Sequence, residues 1–225
     1  MTSLLRSAVQ FASLDRKMRR LNRTDRGAWR SVMASLVTPG LVEFELRRNR
    51  LEGSPELGSG RVGDGLRRVL DFPTVQASEL GVSDLMALHA LLVERETPAL
   101  RVSPPEATQD REIIAPNMIP GALERLLEWI HSEAFAQMHP VEQMTLCQMR
   151  LSEIVPFEVC SAVSGDLFSF LTLEIGTGLL PSYASADVDG FQEALSEALS
   201  FATKSLVELN TKACERTCDG LARLL

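Results

Sequence analysis

Few residues in this 225-residue chain are of types that do chemistry, and their spacing decides what each can do. Cys214 and Cys218 stand four apart and so share one face of a helix. A zinc site needs two further ligands, and none of His89, His131 and His139 sits at ligand spacing to that pair. The pair reads as two small residues facing into a helix packing. Cys160 and Ser161 stand just before an apolar run, where a helix N-terminus would lower a thiol pKa and attract anions. With no base near it in sequence, Cys160 reads as a structural thiol rather than a nucleophile. Ser164 reads as an N-cap, with Asp166 as an acid in the first turn. Gly58-Ser59-Gly60-Arg61-Val62-Gly63 fits the dinucleotide pattern G-x-G-x-x-G, which requires a strand before it. The preceding Arg47–Glu52 reads as helix, so the glycines read as a linker.

The elements that must position these residues are mostly helical. Apolar spacing near 3.6 predicts helices over 3–20, 24–37 (capped by Thr24), 41–51, 64–72 and 82–95, the last capped by Ser83. Thr38-Pro39-Gly40 reads as a break between the second and third. Pieces at 99–102 and 112–115 are expected to pair as a hairpin. Pro120 opens a helix with Leu123, Leu126, Leu127 and Ile130 on one face, and His139-Pro140 opens another. Leu167–Ile175 is apolar all round, the pattern of a helix buried on every side, and Gly176–Gly178 ends it. A last helical stretch runs from 187 to 222.

Composition narrows the function. Hydrophobic residues are 45% of the chain, enough for a core. The net charge of −7 argues against a nucleic-acid binder, and it is unevenly spread. Residues 1–70 carry 14 basic and 7 acidic side chains, the remainder 9 and 23. A basic N-terminal third is therefore expected to dock on an acidic body. Four cysteines in a chain this long are no disulfide framework, and neither a signal peptide nor a membrane-spanning run is evident, so a cytoplasmic protein is expected.

From His139 to Leu180 the order of landmarks resembles the core of a Fic domain (filamentation induced by cAMP). That family shows a helix opening at His-Pro, the signature H-P-F-x-[D/E]-G-N-[G/K]-R-x-x-R, and a long apolar helix ending near Gly. Here His139-Pro140 opens the helix, Pro156-Phe157 match the signature's Pro-Phe, and 167–178 is laid out like the following helix. Ile113-Ile114 resemble the family's flap. Arg48 to Gly53, with Glu52, resemble its inhibitory helix, [S/T]-x-x-x-E-[G/N]. The resemblance implies an all-α, Fic-like helical bundle around a buried central helix, with a short β-hairpin flap. It also implies an N-terminal helical region over 1–53, a linker over 54–65, and a core over 66–225.

The departures bear on function. The signature base is Val155, the Mg²⁺-binding acid is Val159, the Gly-Asn-Gly turn is Cys160-Ser161-Ala162, and the two phosphate-binding arginines are Val163 and Asp166. Valine can neither accept a proton nor ligate a hard cation. Asp166 would repel a polyphosphate by about 4 kcal/mol at 4 Å and an effective dielectric near 20. The expected function is therefore a Fic-fold pseudoenzyme that lacks the AMP-transfer signature and acts by binding or regulation. The alternative is an AMP transferase with a remodelled site. No cofactor is expected; ATP and Mg²⁺ belong only to the alternative. The expected partner is another protein, with no nucleic acid and no membrane, and the resemblance implies a homodimer. Glu52 has lost its family partner, an Arg now replaced by Asp166, and reads as a solvent-facing helix end. If the N-terminal helix docks as in the family, Arg48, Arg47 or Arg50 should face Asp166 with the charges exchanged.

Overall fold

The computed structural model describes residues 2–21, 26–51, 57–72, 76–94, 98–104 and 113–224. Among the described residues ten α-helices follow in order: α1 (Thr2–Leu21), α2 (Arg26–Leu51), α3 (Ser59–Leu70), α4 (Val82–Val93), α5 (Ile119–Ile130), α6 (Glu133–Ala136), α7 (Pro140–Ile154), α8 (Ser161–Thr177), α9 (Val188–Leu199) and α10 (Lys204–Leu224). Every residue from Val163 to Glu174 in α8 is buried. Leu167, Phe168, Phe170, Leu171 and Leu173 point in all directions, and each contributes on the order of 1.5–3 kcal/mol by leaving water. A helix with no polar face must be wrapped, and α7, α3, α4 and α2 pack around it. Small residues permit the close approaches: a Cβ on Gly165 would stand 3.1 Å from the Leu151 Cβ of α7. Gly178, in the left-handed region at φ 74°, ends α8 as the sequence predicts.

Several expectations are corrected. The helices expected over 24–37 and 41–51 are one helix, α2, running through Pro39 and Gly40. Val37, Leu41 and Phe44 are buried along it, and burial of that face outweighs the lost backbone bond at Pro39. Gly40 is required there, because a Cβ would lie 2.6 Å from the Tyr183 carbonyl oxygen. The stretch read as linker up to residue 65 is helical from Ser59, with Val62, Leu66 and Val69 buried at helical spacing. The cap of α4 is Gly81, whose N–H donates to Asp84 Oδ2 at 2.8 Å, rather than Ser83. The stretch expected to be helical from 187 to 222 is two helices separated by a turn at 200–203. Among the described residues there is no strand, and 98–104 and 113–115 form no hairpin ladder. Instead their backbones bond to the end of α7: Arg101 N–H donates to Pro156 O at 2.9 Å and Ile114 N–H to Glu153 O at 3.5 Å. Thr24, Glu52, Gly53 and Glu112 lie outside the described residues.

The candidate functional site at the α7–α8 loop

The loop begins where Pro156 makes further helix unfavourable for the residue before it, and Val155 turns out of α7 in the left-handed region at φ 46°. A β-branched residue is strained there. Arg101 holds the strained carbonyl. Its Nε donates to Val155 O at 2.6 Å, and its Nη groups donate to Ser103 O at 3.1 Å, Ile154 O at 3.3 Å and Ile114 O. A guanidinium on the last carbonyls of α7 is favoured by the helix dipole. Burial pulls the Arg101 pKa down, and Glu158 opposes this. Glu158 is the acid of the loop, one position before the signature acid, and it points to solvent. Its Oε1 accepts the N–H groups of Val102 at 2.8 Å and Ser103 at 3.1 Å, and it also accepts the Ser103 hydroxyl. Those hydrogen bonds hold its carboxyl below the usual range.

Phe157 is buried and stacks on His89 of α4, with ring centroids 3.7 Å apart and planes 5° apart. Its N–H donates to Ser161 Oγ at 3.2 Å. The Ser164 hydroxyl donates to Cys160 O at 2.8 Å, and His89 Nδ1 lies 3.0 Å from Ser164 Oγ, an arrangement in which Nδ1–H donates to the hydroxyl oxygen. Cys160 caps α8 at φ 53°, taking the left-handed conformation that glycine would supply at the signature position. Burial pushes its thiol up, against a lowering effect of Arg61. Ser161, Ala162 and Val159 are half-buried and Val163 is buried. Ser164 is thus tied to the loop carbonyl rather than acting as the N-cap.

One turn further along α8, Asp166 meets Arg48 of α2 in an ion pair whose side chains are 2% and 1% exposed. The Arg48 guanidinium also lies over the Phe191 ring, 4.6 Å from its centre. Asp166 Oδ1 accepts from Gln148 Nε2 at 3.1 Å, and Gln148 Oε1 accepts from Asn210 Nδ2 at 2.7 Å. Asn210 Nδ2 reaches Thr145 Oγ1 at 2.9 Å, and Asn210 Oδ1 accepts the Tyr183 hydroxyl. Burial holds the Tyr183 phenol well above its ordinary range. The network joins α2, α7, α8, α10 and the residues before α9, with each member satisfying the next in a medium where an unpaired group is costly.

The structure brings Val155, Val159, Cys160, Ser161, Ala162, Val163 and Asp166 together on one loop and helix start, and it adds Arg48. Arg47 faces Asp189 instead, at 2.9 and 2.7 Å. Ile113 and Ile114 are half-buried beside the end of α7. Sequence reasoning missed His89, Arg101, Glu158, Gln148 and Asn210. His89 carries a faint signal, a polar ring within the buried stripe Leu85, Leu88, Leu92. All four cysteines are buried and unbridged, and burial pushes the thiols of Cys147 and Cys218 up to about 12. Among the described residues no three His, Cys, Asp or Glu side chains group as a metal ion would need, and no helix is long and apolar enough to cross a membrane. At this loop Val155 and Val159 carry no oxygen donor for a hard cation, and the carboxylate of Asp166 is engaged by Arg48 and Gln148.

No protein-family model and no curated protein matches the sequence. Solved structures do match. Fic-1 (residues 134–508) from C. elegans superposes with a TM-score of 0.75 at 14% identity, over 99% of this chain and 74% of that one. Its E274G form gives 0.73 at 15%, over 100% and 75%. A Fic domain containing signaling protein from Bacteroides thetaiotaomicron gives 0.69 at 17%, over 94% and 96%. With the helix order and the loop between α7 and α8 described above, these likenesses make the fold of this chain that of the Fic domain.

Proposed function

We propose that this chain is a Fic-fold pseudoenzyme, a binding or regulatory protein without AMP-transfer activity. The observation that carries this reading is the buried Arg48–Asp166 pair. In the resembled signature the second arginine holds phosphate oxygens and answers to a glutamate of the inhibitory helix. Here the charges are exchanged, so an anion reaching this point would meet a carboxylate and would have to displace a guanidinium from a desolvated partner. At the position of the base stands Val155, strained and held by Arg101, which cannot take a proton from a target hydroxyl.

Incubation of the chain with α-labelled ATP and a cell lysate tests the reading. No label is expected in protein above a heat-treated control. Labelling that vanishes on substituting Cys160 or Ser161 would overturn the proposal in favour of a rebuilt transferase site.

A further inference from the structure

Of the nine phenylalanines, eight are buried and Phe201 is 87% exposed, on the turn between α9 and α10. Its backbone is left-handed, at φ 68°. The turn demands that conformation: Phe201 N–H donates to Ala198 O at 2.8 Å and Ala202 N–H to Glu197 O at 3.0 Å. Glycine meets the demand with the least strain, and the chain uses it at Gly178 for the end of α8. At 201 it places a large apolar ring in water instead. Four residues earlier, the exposed Glu197 sits in the last turn of α9, where the helix dipole opposes an anion. Asp189, Glu193 and Glu197 recur every fourth residue, and α9 contains no lysine or arginine. Arg47 engages Asp189. Glu193 and Glu197 have no ion pair among the described residues, and the cation following the turn, Lys204, lies 3.7 Å from Glu208. Two residues on one turn, Phe201 and Glu197, thus both go against local stability, a conflict that marks functional positions.

We propose that Phe201, Glu197 and Glu193 form a docking site for an arginine-bearing helical segment of a partner protein. A guanidinium is planar, so one arginine can lie over the exposed Phe201 ring and direct its N–H groups at the Glu197 carboxylate. A second arginine, four residues along a facing helix, matches the repeat of about 6 Å between Glu197 and Glu193. Lysine offers charge without the planar face and is the weaker ligand. The site stands on α9 and the turn that follows it, and its existence is independent of whether the α7–α8 loop transfers nucleotide.

The test is fluorescence anisotropy of the full chain with a labelled alanine-based helical peptide carrying arginines four apart. Two control peptides carry lysine or citrulline at those positions. Saturable binding is expected for the arginine peptide, weaker for lysine and lost for citrulline. Phe201→Ala should weaken binding several-fold, and Glu193→Gln with Glu197→Gln should flatten its salt dependence. Phe201→Gly should raise the thermal midpoint while lowering peptide affinity, a split that a structural role would not give. Amide shifts on binding should centre on residues 193–208. The proposal fails if no peptide saturates, if citrulline binds as well as arginine, if Phe201→Ala leaves affinity unchanged, or if Phe201→Gly destabilises the chain. Self-association that depends on Phe201 without peptide binding would also overturn it, making the face a contact between copies.

Discussion

Arg48 and Asp166 are both withdrawn from water, so most of the consequence of mutating either is the charge left behind. Removing one member of such a pair costs about 3–5 kcal/mol, whereas an apolar pair of similar volume can be nearly neutral. Asp166→Arg should therefore lower the urea midpoint sharply, Arg48→Glu added to it should recover part of the loss, and Arg48→Met with Asp166→Leu should recover more. Strictly additive effects would show that the two side chains do not act on each other. This pair was legible in the sequence because two departures from one motif had complementary charges. Arg101 was not, because its partners are main-chain carbonyls, which leave no trace in residue type. Nor was the role of His89, since helical spacing shows that it faces inward but not that Phe157 lies opposite.

Helix α1 is fastened to the body partly through a titratable contact. His139 caps α7 by accepting the Val141 N–H on Nδ1 at 3.2 Å, stacks on Phe11 at 3.8 Å, and directs Nε2 at Asp15 Oδ1, 3.3 Å away. Burial lowers its pKa, although Asp15 and Glu142 oppose this. The unfolded chain takes up this proton near pH 6.5, where the folded chain still resists it. The stabilisation is therefore complete above about pH 6.5 and is lost as pH falls from there through the folded pKa. The hydrogen-exchange protection factors of residues 10–21, taken relative to the intrinsic rate at each pH, should fall over that window, and His139→Asn, which can still cap α7, should abolish the response. Unchanged protection factors between pH 7 and pH 5.5 would contradict this account. At this scale the sequence misled where burial overrode local signals. Pro39-Gly40 reads as a break, yet α2 continues because its apolar face and its contact with the Tyr183 carbonyl hold it in place. Conversely, 187–222 reads as one helix, and the turn carrying Phe201 lacks the glycine that would have signalled it.

Across the whole molecule, the basic N-terminal region docks on the acidic body through named pairs: Lys17 with Asp219, Arg30 with Glu174, Arg47 with Asp189 and Arg48 with Asp166. Two of the acids, Glu174 and Asp166, are nearly inaccessible. Residues 57–225 expressed alone should therefore show no cooperative thermal transition, since both carboxylates would lose their arginines along with the burial that Trp29, Met33 and Phe44 supply. A cooperative transition matching that of the full chain would show that α1 and α2 are dispensable. The order of the Fic landmarks was readable because it rests on local signals: His139-Pro140, Pro156-Phe157 and an apolar run closed by Gly178. The pieces at 99–102 and 112–115 were read as a hairpin because residue type does not show that the backbones of Arg101 and Ile114 are fastened to the end of α7 instead.

The central claim is that this Fic fold has exchanged a phosphate site for an internal ion pair, and calorimetric titration of the full chain with ATP, with and without Mg²⁺, tests it most directly. The account predicts no saturable binding below about 1 mM under either condition. Saturable ATP binding below that concentration, strengthened when Mg²⁺ is added, would contradict it.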